Sequence, residues 1–389
     1  MSEDGSTYKV PVTTIKEIFD HPNATSLEYA KVYDFNVIVR KGEYKVGDIV
    51  VYIPIDSILP VELETKIFGP DSKIKLNKSR VRQIKIRGYY SQGMIVNLED
   101  VSEDGMIPLD SSKYSYLDIT DPDIIEYNFA EALGITKYEP PAAGYQGSLA
   151  RKRDKPMENP FFHKYGGIDN IKWYPDLFQP DEIVSITEKI HGSNIRAGYV
   201  PFVANSLWEK FLKFMDWAPT HQWCYGSNNV QLQSRWNYKG FYGTDVYGKV
   251  LEKYGVKDKL KPGEVIYGEL YGHGIQGGYS YGCKEGEHRL IVFDVKRQTE
   301  TDSDFLGVDH FQAFCKERGF ETPPELYRGT FDKDKAKVLT VGNSVLVPSQ
   351  KVIEGVVIKP LEESTSLCGR KVLKLISEEY LAGNNTDFH

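Results

Sequence analysis

Between Tyr8 and Leu98, apolar and polar residues alternate in short runs, YAKVYDFNVIV, DIVVYIPI, VRQIKIRG and GMIVNL, interrupted by the turn-rich stretches GEYKVGD and FGPDSK. A period of two predicts half-buried strands, and the Gly, Pro and Asp clusters between them predict turns. The economical arrangement of so many short strands is a small OB-like β-barrel over residues 1–138, an architecture that commonly binds oligonucleotides, with other small barrels left open by pattern alone. The string EPPAAGYQGSLARKRDKPMENP carries no period and is rich in Pro, Gly and charge, which predicts a linker over 139–160. From Phe161 onward, strand-like DEIVSITEKI, EVIYGELYG, RLIVFDV, EGVVIKP and KVLKLI are interspersed with helical candidates WEKFLKFMDWA and FQAFCKERG. That mixture predicts an α+β domain over 161–389. No internal repeat or long low-complexity tract is visible, which excludes solenoid and collagen-like folds.

A chain of 389 residues is long enough for two cores, and 40% hydrophobic with 26% charged residues is the profile of a packed globular protein. The net charge of −7 and pI near 5.7 argue against a uniformly basic nucleic-acid binder, so any polyanion contact needs a local positive groove. Four cysteines, Cys224, Cys283, Cys315 and Cys368, form no CxxC pair, which suggests neither a zinc site nor a disulfide framework and points to a reducing compartment. The first residues, MSEDGSTYKV, are acidic where a signal peptide is basic and then apolar, and no run approaches the roughly 20 apolar residues of a membrane span. A soluble, cytoplasmic or otherwise intracellular protein with no membrane partner is expected.

The chemistry concentrates around Ile186-Thr187-Glu188-Lys189-Ile190-His191-Gly192-Ser193-Asn194, which sets a lysine at the end of a predicted strand before a glycine turn. Alone, a KxxG match is weak, and a strand-end lysine is ordinarily a solvated one. Four further segments follow in order: Val265 to Gly272 (VIYGELYG), Leu290 to Asp294 (LIVFD), Ile353 to Lys359 (IEGVVIK) and Gly369 to Lys374 (GRKVLK). Together the five resemble motifs I, III, IIIa, IV and V of the covalent nucleotidyltransferase superfamily. The KxHG version looks like RNA ligases of the phage RNA ligase 2 type, whereas DNA ligases usually carry Asp at that third position. A barrel placed ahead of this domain, together with VRQIKIRGYYSQGMIV, is similar to the Deinococcus and Naegleria kind of RNA ligase, with its amino-terminal OB domain.

The resemblance implies a nucleotidyltransferase (adenylyltransferase, ATP-grasp-like) domain of antiparallel sheets and helices. It also implies an ATP-dependent RNA ligase that seals a 3′-hydroxyl to a 5′-phosphate through lysyl-AMP on Lys189. ATP with Mg²⁺ or Mn²⁺ and RNA, as nicked duplex or broken ends, would be its partners, and a monomer is expected. A free lysine, with a pKa of about 10.4, is protonated at neutral pH, so a nucleophilic one needs burial or nearby positive charge. Lys359 and Lys374 could supply that charge and stabilise the departing pyrophosphate. The family pattern assigns Glu269 to the ribose, Phe293 to the adenine face and Glu354 to the divalent cation, a hard ion that prefers oxygen ligands. Glu188, Ile190, His191, Gly192 and Asn194 would surround the nucleotide, and Lys172 upstream is a further candidate for a phosphate. Each has an ordinary alternative: surface lysines, a core phenylalanine, a hydrogen-bonded structural histidine, carboxylates at strand ends.

Two departures stand out. The same-face neighbours of Lys374 are Val372 and Ile376, where phage-type ligases carry a second motif V lysine, and Tyr225-Gly226-Ser227-Asn228-Asn229 lacks the arginine of an RTG-like triplet. Arg196 or Arg235 would have to compensate. Strict alternation also sets Glu354 and Lys359 on opposite strand faces unless Gly355 or the approach to Pro360 bends the chain. A DNA ligase, a GTP-using capping enzyme and an inactive nucleic-acid-binding homologue remain competing readings.

In the amino-terminal region Lys73, Lys75, Lys78, Arg80, Arg82, Lys85 and Arg87 concentrate positive charge ahead of Tyr89 and Tyr90. Arg80, Arg82, Lys85 and Arg87 are the expected nucleic-acid contacts, with the tyrosines as stacking platforms. The alternative is a solvated edge strand whose cations deter aggregation.

Overall fold

The computed structural model describes residues 7–70, 72, 75–102, 106–110, 113–118, 124–138, 158–232, 244–275, 277, 279–298 and 303–383. The expected linker lies outside these residues apart from 158–160, as do Lys73 and Arg235. The chain divides into one unit of Met1–Pro140, Asn170–Leu177 and Leu381–His389, and another of Pro141–Asp169 and Phe178–Tyr380.

In the first unit the alternating runs become short antiparallel strands. Val12–Thr14, Ile49–Ile53 and Met94–Asn97 form one sheet, and Glu17–Asp20, Leu27–Val32 and Phe35–Arg40 form a meander. Ile49–Ile53 is buried on both faces: Val51 and Ile53 join a cluster with Val10, Val12, Val96 and Phe129, while Val50 and Tyr52 join another with Ala30, Val32, Phe35 and Val37. Ile84–Ile86 and Tyr89–Ser91 pair through the two-residue link Arg87-Gly88, both at positive φ (49° and 94°), the geometry that matches the twist of a tight hairpin. Among the described residues no sheet closes into a barrel. The expected β-rich amino-terminal unit is present as small antiparallel sheets whose strands run two to six residues.

One segment falls in a different unit from the one its place in the sequence suggests. Asn170–Leu177, read from sequence as part of the second domain, packs into the first unit. Its 3₁₀ turn Ile171–Trp173 is capped by the Asn170 side chain, and the Trp173 ring meets Tyr33, Phe35 and Tyr52 edge-on at 5.0, 5.0 and 5.4 Å.

The second unit has the expected α+β character, with antiparallel sheets. A six-stranded sheet runs in the order Gln231–Leu232, His221–Ser227, Ser193–Pro201, Glu264–Gly272, His288–Gln298, Ser303–Phe305. A second sheet includes, in order, Leu373–Ile376, Gly355–Pro360, Ile183–Lys189 and Glu325–Thr330. Helices Val246–Lys253 and Val308–Arg318 bury Val250, Leu251, Phe314 and Cys315 against Ile195, Ala197, Ile266, Leu290 and Val292. Val308–Arg318 contains the predicted FQAFCKER helix and ends at Gly319, whose positive φ of 64° suits a left-handed helix stop. No helix among the described residues is long and apolar enough to cross a membrane.

Candidate active site

Strand alternation builds one wall of the site. In Ile183–Lys189, the side chains of Ser185, Thr187 and Lys189 share one face, whereas Val184 and Ile186 point into the core. Register places Lys359 beside Ser185, Val357 beside Thr187, and Lys374 beside Val357. Lys189, Lys359 and Lys374 thereby border a cavity of about 250 Å³, at the small end of the ligand-pocket range. The six-stranded sheet supplies the opposite wall through Asn194, Glu269, Ile291 and Phe293, with Val308, Phe311 and Pro323 adding apolar cover.

Two backbone irregularities aim the key groups. The pairing of Glu264–Gly272 with His288–Gln298 shifts between Tyr267 opposite Asp294 and Gly268 opposite Val292, leaving Phe293 as the extra, unpaired residue. A bulge of this kind redirects a side chain, and the Phe293 ring borders the cavity while meeting Tyr165 edge-on at 5.0 Å. Gly355 opens its strand at φ 153°, and a Cβ there would lie 2.2 Å from the Leu375 carbonyl oxygen. Glu354 thus sits ahead of the ladder, where alternation no longer binds it, and the bend at Gly355 lets it and Lys359 serve one site.

Glu354 accepts from Lys189 Nζ at 2.5 Å. Burial alone would raise its pKa, but the Lys189 ammonium and His191 outweigh that cost and hold it at about 2. Glu269 behaves in the opposite way. Desolvation pushes its carboxyl up to about 8, with Lys189 pulling it down only in part and Glu354 adding repulsion. The Gly192 N–H donates to Glu269, and a Cβ at Gly192 would lie 2.8 Å from Glu269 Cγ, so this close approach requires glycine. Two carboxylates flanking one lysine are therefore held in different protonation states at neutral pH.

Asp294, fully buried, collects three donors. Lys359 Nζ reaches its Oδ2 at 3.0 Å, Arg370 Nη1 at 3.0 Å and the Tyr165 hydroxyl at 2.7 Å. Burial opposes ionisation, but the two cations prevail and lower its pKa. Lys359 also donates to the Phe293 carbonyl at 3.0 Å, and Arg370 covers the Phe305 ring at 3.5 Å. The sequence reading assigned no role to Asp294, Arg370 or Tyr165. A carboxylate closing the apolar run LIVFD and an arginine four residues before Lys374 were the available signals; Tyr165 offered none.

Several expected contacts are placed differently. Glu188 borders the cavity, but its carboxylate accepts from the N–H groups of Val345 and Leu346, because alternation turns it away from the Lys189 face. His191 lies beyond the strand end, buried and absent from the cavity lining, and packs behind Glu354 with Nδ1 3.6 Å from Oε2. Ile190 and Asn194 border the cavity, and the Asn194 Oδ1 is buried without a hydrogen-bond partner among the described residues. Lys172 is buried in the first unit, where its ammonium donates to Gln92 Oε1 at 2.7 Å. Arg196, fully buried, donates to the carbonyls of Ser227 and Phe162 and does not line the cavity, whereas Asn228 does.

The cationic track of the first unit splits in the same way. Arg80 is 2% exposed, donates to Asp56 Oδ1 at 2.9 and 2.6 Å, and stacks on Tyr138 at 3.6 Å, so it is a structural ion pair and not a surface phosphate contact. Arg82, Lys85 and Arg87 are exposed, as are Lys75 and Lys78, and Lys85 Nζ lies 5.0 Å over the Tyr90 ring.

Comparison with known proteins places the chain in a family. The RNA ligase family profile matches residues 182–376, and an OB-fold domain profile matches residues 9–98. Among solved structures, a variant of Naegleria gruberi RNA ligase with ATP and Mn is 20% identical at a TM-score of 0.69, covering 96% of this chain and 97% of that one. The same ligase with PPi is 20% identical at 0.69, covering 96% and 98%, and another variant with AMP and Mn is 20% identical at 0.69, covering 96% and 97%. At that identity the likeness establishes a shared fold. No curated protein matches the chain. With half of its length matched by the family profile, the chain belongs to the RNA ligase family.

Proposed function

We propose that this protein is an ATP-dependent RNA ligase that joins a 3′-hydroxyl to a 5′-phosphate through a lysyl-AMP intermediate on Lys189. The observation that carries the reading is the convergence of Lys189, Glu269, Phe293, Lys359 and Lys374 on one cavity, with Glu354 on the Lys189 amine. In the first step the Lys189 ammonium gives up a proton to solvent, and its Nζ lone pair forms a bond to the α-phosphorus of ATP as the bond to pyrophosphate breaks. The RNA 5′-phosphate then takes the AMP and frees Lys189, and the 3′-hydroxyl displaces AMP to form the phosphodiester.

Lys359 and Lys374 contribute positive charge beside the reacting phosphates, fixed in advance on adjacent strands, so little reorganisation accompanies reaction. Glu269, with its carboxyl near 8, is largely protonated at neutral pH and can both donate to and accept from ribose hydroxyls. Phe293 offers a ring face to the base.

The residues present suit a divalent cation. Among the described residues no group of three or more His, Cys, Asp or Glu could hold a metal by itself. Glu354 offers one carboxylate whose buried Oε2 lacks a hydrogen-bond partner among the described residues, which fits a hard cation such as Mg²⁺ or Mn²⁺ that takes few protein oxygens. When bound, such an ion would neutralise phosphate charge.

RNA contact is assigned to Arg82, Lys85 and Arg87, and the protein acts as an intracellular monomer on nicked duplexes or broken ends. The test is sealing of a 5′-labelled nicked RNA duplex. Wild-type protein with ATP and Mg²⁺ should convert it to the full-length strand and Lys189→Ala should not. Absence of joining on nicked, broken and hybrid substrates alike would overturn the proposal.

A further inference from the structure

His191 is the buried member of the Lys189 segment that the three reaction steps leave unused. Three tyrosines surround it. Its backbone N–H donates to the Tyr281 hydroxyl at 2.9 Å, and its ring meets those of Tyr279 and Tyr380 edge-on at 4.9 and 5.4 Å. The Tyr380 hydroxyl lies 3.1 Å from Nδ1, the same ring nitrogen that faces Glu354 Oε2 at 3.6 Å. Tyr380 is itself 1% exposed, so its hydroxyl has been taken from water and needs a partner inside the protein.

The segment that carries Tyr380 also holds the backbone of Glu354. Ser377 N–H donates to the Glu354 carbonyl at 2.9 Å, and Ser377 Oγ accepts from the Tyr380 N–H at 3.4 Å. Residues 377–380, just past the strand Leu373–Ile376, therefore touch Glu354 through its backbone and His191 through its ring. Glu354 Oε1 is held by Lys189, whereas Oε2 faces the His191 ring, with Nδ1 at 3.6 Å.

Resting on the ligase reading above, we infer that Tyr380 is a positioning residue for lysine adenylylation. Its hydroxyl fixes the His191 imidazole with Nδ1 toward Glu354, and the ring in turn holds the carboxylate in the orientation that engages Lys189. Tyr380 does not line the cavity, so its effect passes through His191.

The experiment combines Tyr380→Phe, His191→Asn and the double variant, which keep the packing largely intact. Single-turnover lysyl-AMP formation should slow about tenfold in Tyr380→Phe, the size expected for one lost buried hydrogen bond, while the apparent KM for ATP stays within about twofold. In the His191→Asn background Tyr380→Phe should have no further effect, because the two residues act as one unit. Additive losses, or a wild-type rate in Tyr380→Phe, would overturn the inference.

A second readout needs neither metal nor nucleotide. In nitrogen-15 spectra of the full-length apoprotein, the Nδ1 resonance of His191 should carry a hydrogen-bond signature that Tyr380→Phe removes. A wild-type spectrum without that signature also overturns the inference, even should the variant fail to fold. If the wild type forms no lysyl-AMP at all, the ligase reading has failed, whereas this spectrum still reports on the Tyr380–His191 contact.

Discussion

Replacing Glu269 by Gln should change how stability depends on pH, and the size follows from the cavity. Desolvation sets the Glu269 carboxyl near 8, against about 4.3 in an unfolded chain. Between those values the native protein holds a proton that the unfolded chain has released, so stability falls as pH rises through the window and levels off above 8. The slope is about 1.4 kcal/mol per unit near pH 6 and falls to half that at pH 8, so the loss between them is about 2.3 kcal/mol. Glutamine keeps the shape and cannot ionise. Glu354, with its pKa near 2, is ionised across this range and contributes equally to both proteins. The stability advantage of Glu269→Gln over the parent should therefore widen by about 2–3 kcal/mol between pH 6 and pH 9. Urea unfolding at the two pH values, with midpoints and slopes compared, measures it. A difference that stays constant or shrinks with rising pH would refute the reasoning, since a Glu269 ionised throughout gives no such slope.

Four further substitutions probe the framework and its surface. Asp294→Ala removes the fully buried carboxylate that the half-buried Lys359 and Arg370 share and should cost about 3–5 kcal/mol, read from denaturant unfolding. Gly355→Ala should lower both stability and adenylylation, because its Cβ would press on the Leu375 carbonyl oxygen; a wild-type melting curve would contradict the bend assigned to that residue. Arg80→Ala should destabilise the first unit by about 3–5 kcal/mol by leaving Asp56 buried and unpaired. Exposed Arg82→Ala should leave stability within about 0.5 kcal/mol while weakening RNA binding and reducing its salt slope by about one, seen by filter binding at several salt concentrations.

Where periodicity was strong, the sequence disclosed the structure. The alternation in DEIVSITEKI put Lys189, Thr187 and Ser185 on one face, and the ordered motifs contain Lys189, Glu269, Phe293, Lys359 and Lys374, which border the cavity. Alternation also exposed the conflict between Glu354 and Lys359, which the unusual backbone at Gly355 resolves. What escaped were features set by long-range contacts. Arg80 and Arg82 look equivalent two residues apart, yet Arg80 is captured by Asp56 from 24 positions away. Lys172 sits in a segment that tertiary packing draws into the first unit through Trp173. The bulge that turns Phe293 and the sharing of Asp294 by Tyr165, Lys359 and Arg370 depend on strand register, which no local pattern encodes.

The account turns on a bond between Lys189 Nζ and the α-phosphorus of ATP. Incubating the purified protein with α-labelled ATP and Mg²⁺, denaturing it and mapping the label to a peptide tests that bond directly. The predicted result is acid-labile AMP on the peptide containing Lys189, released by pyrophosphate and missing from Lys189→Ala. Label on another residue, or none across pH values and with Mn²⁺ in place of Mg²⁺, would contradict it.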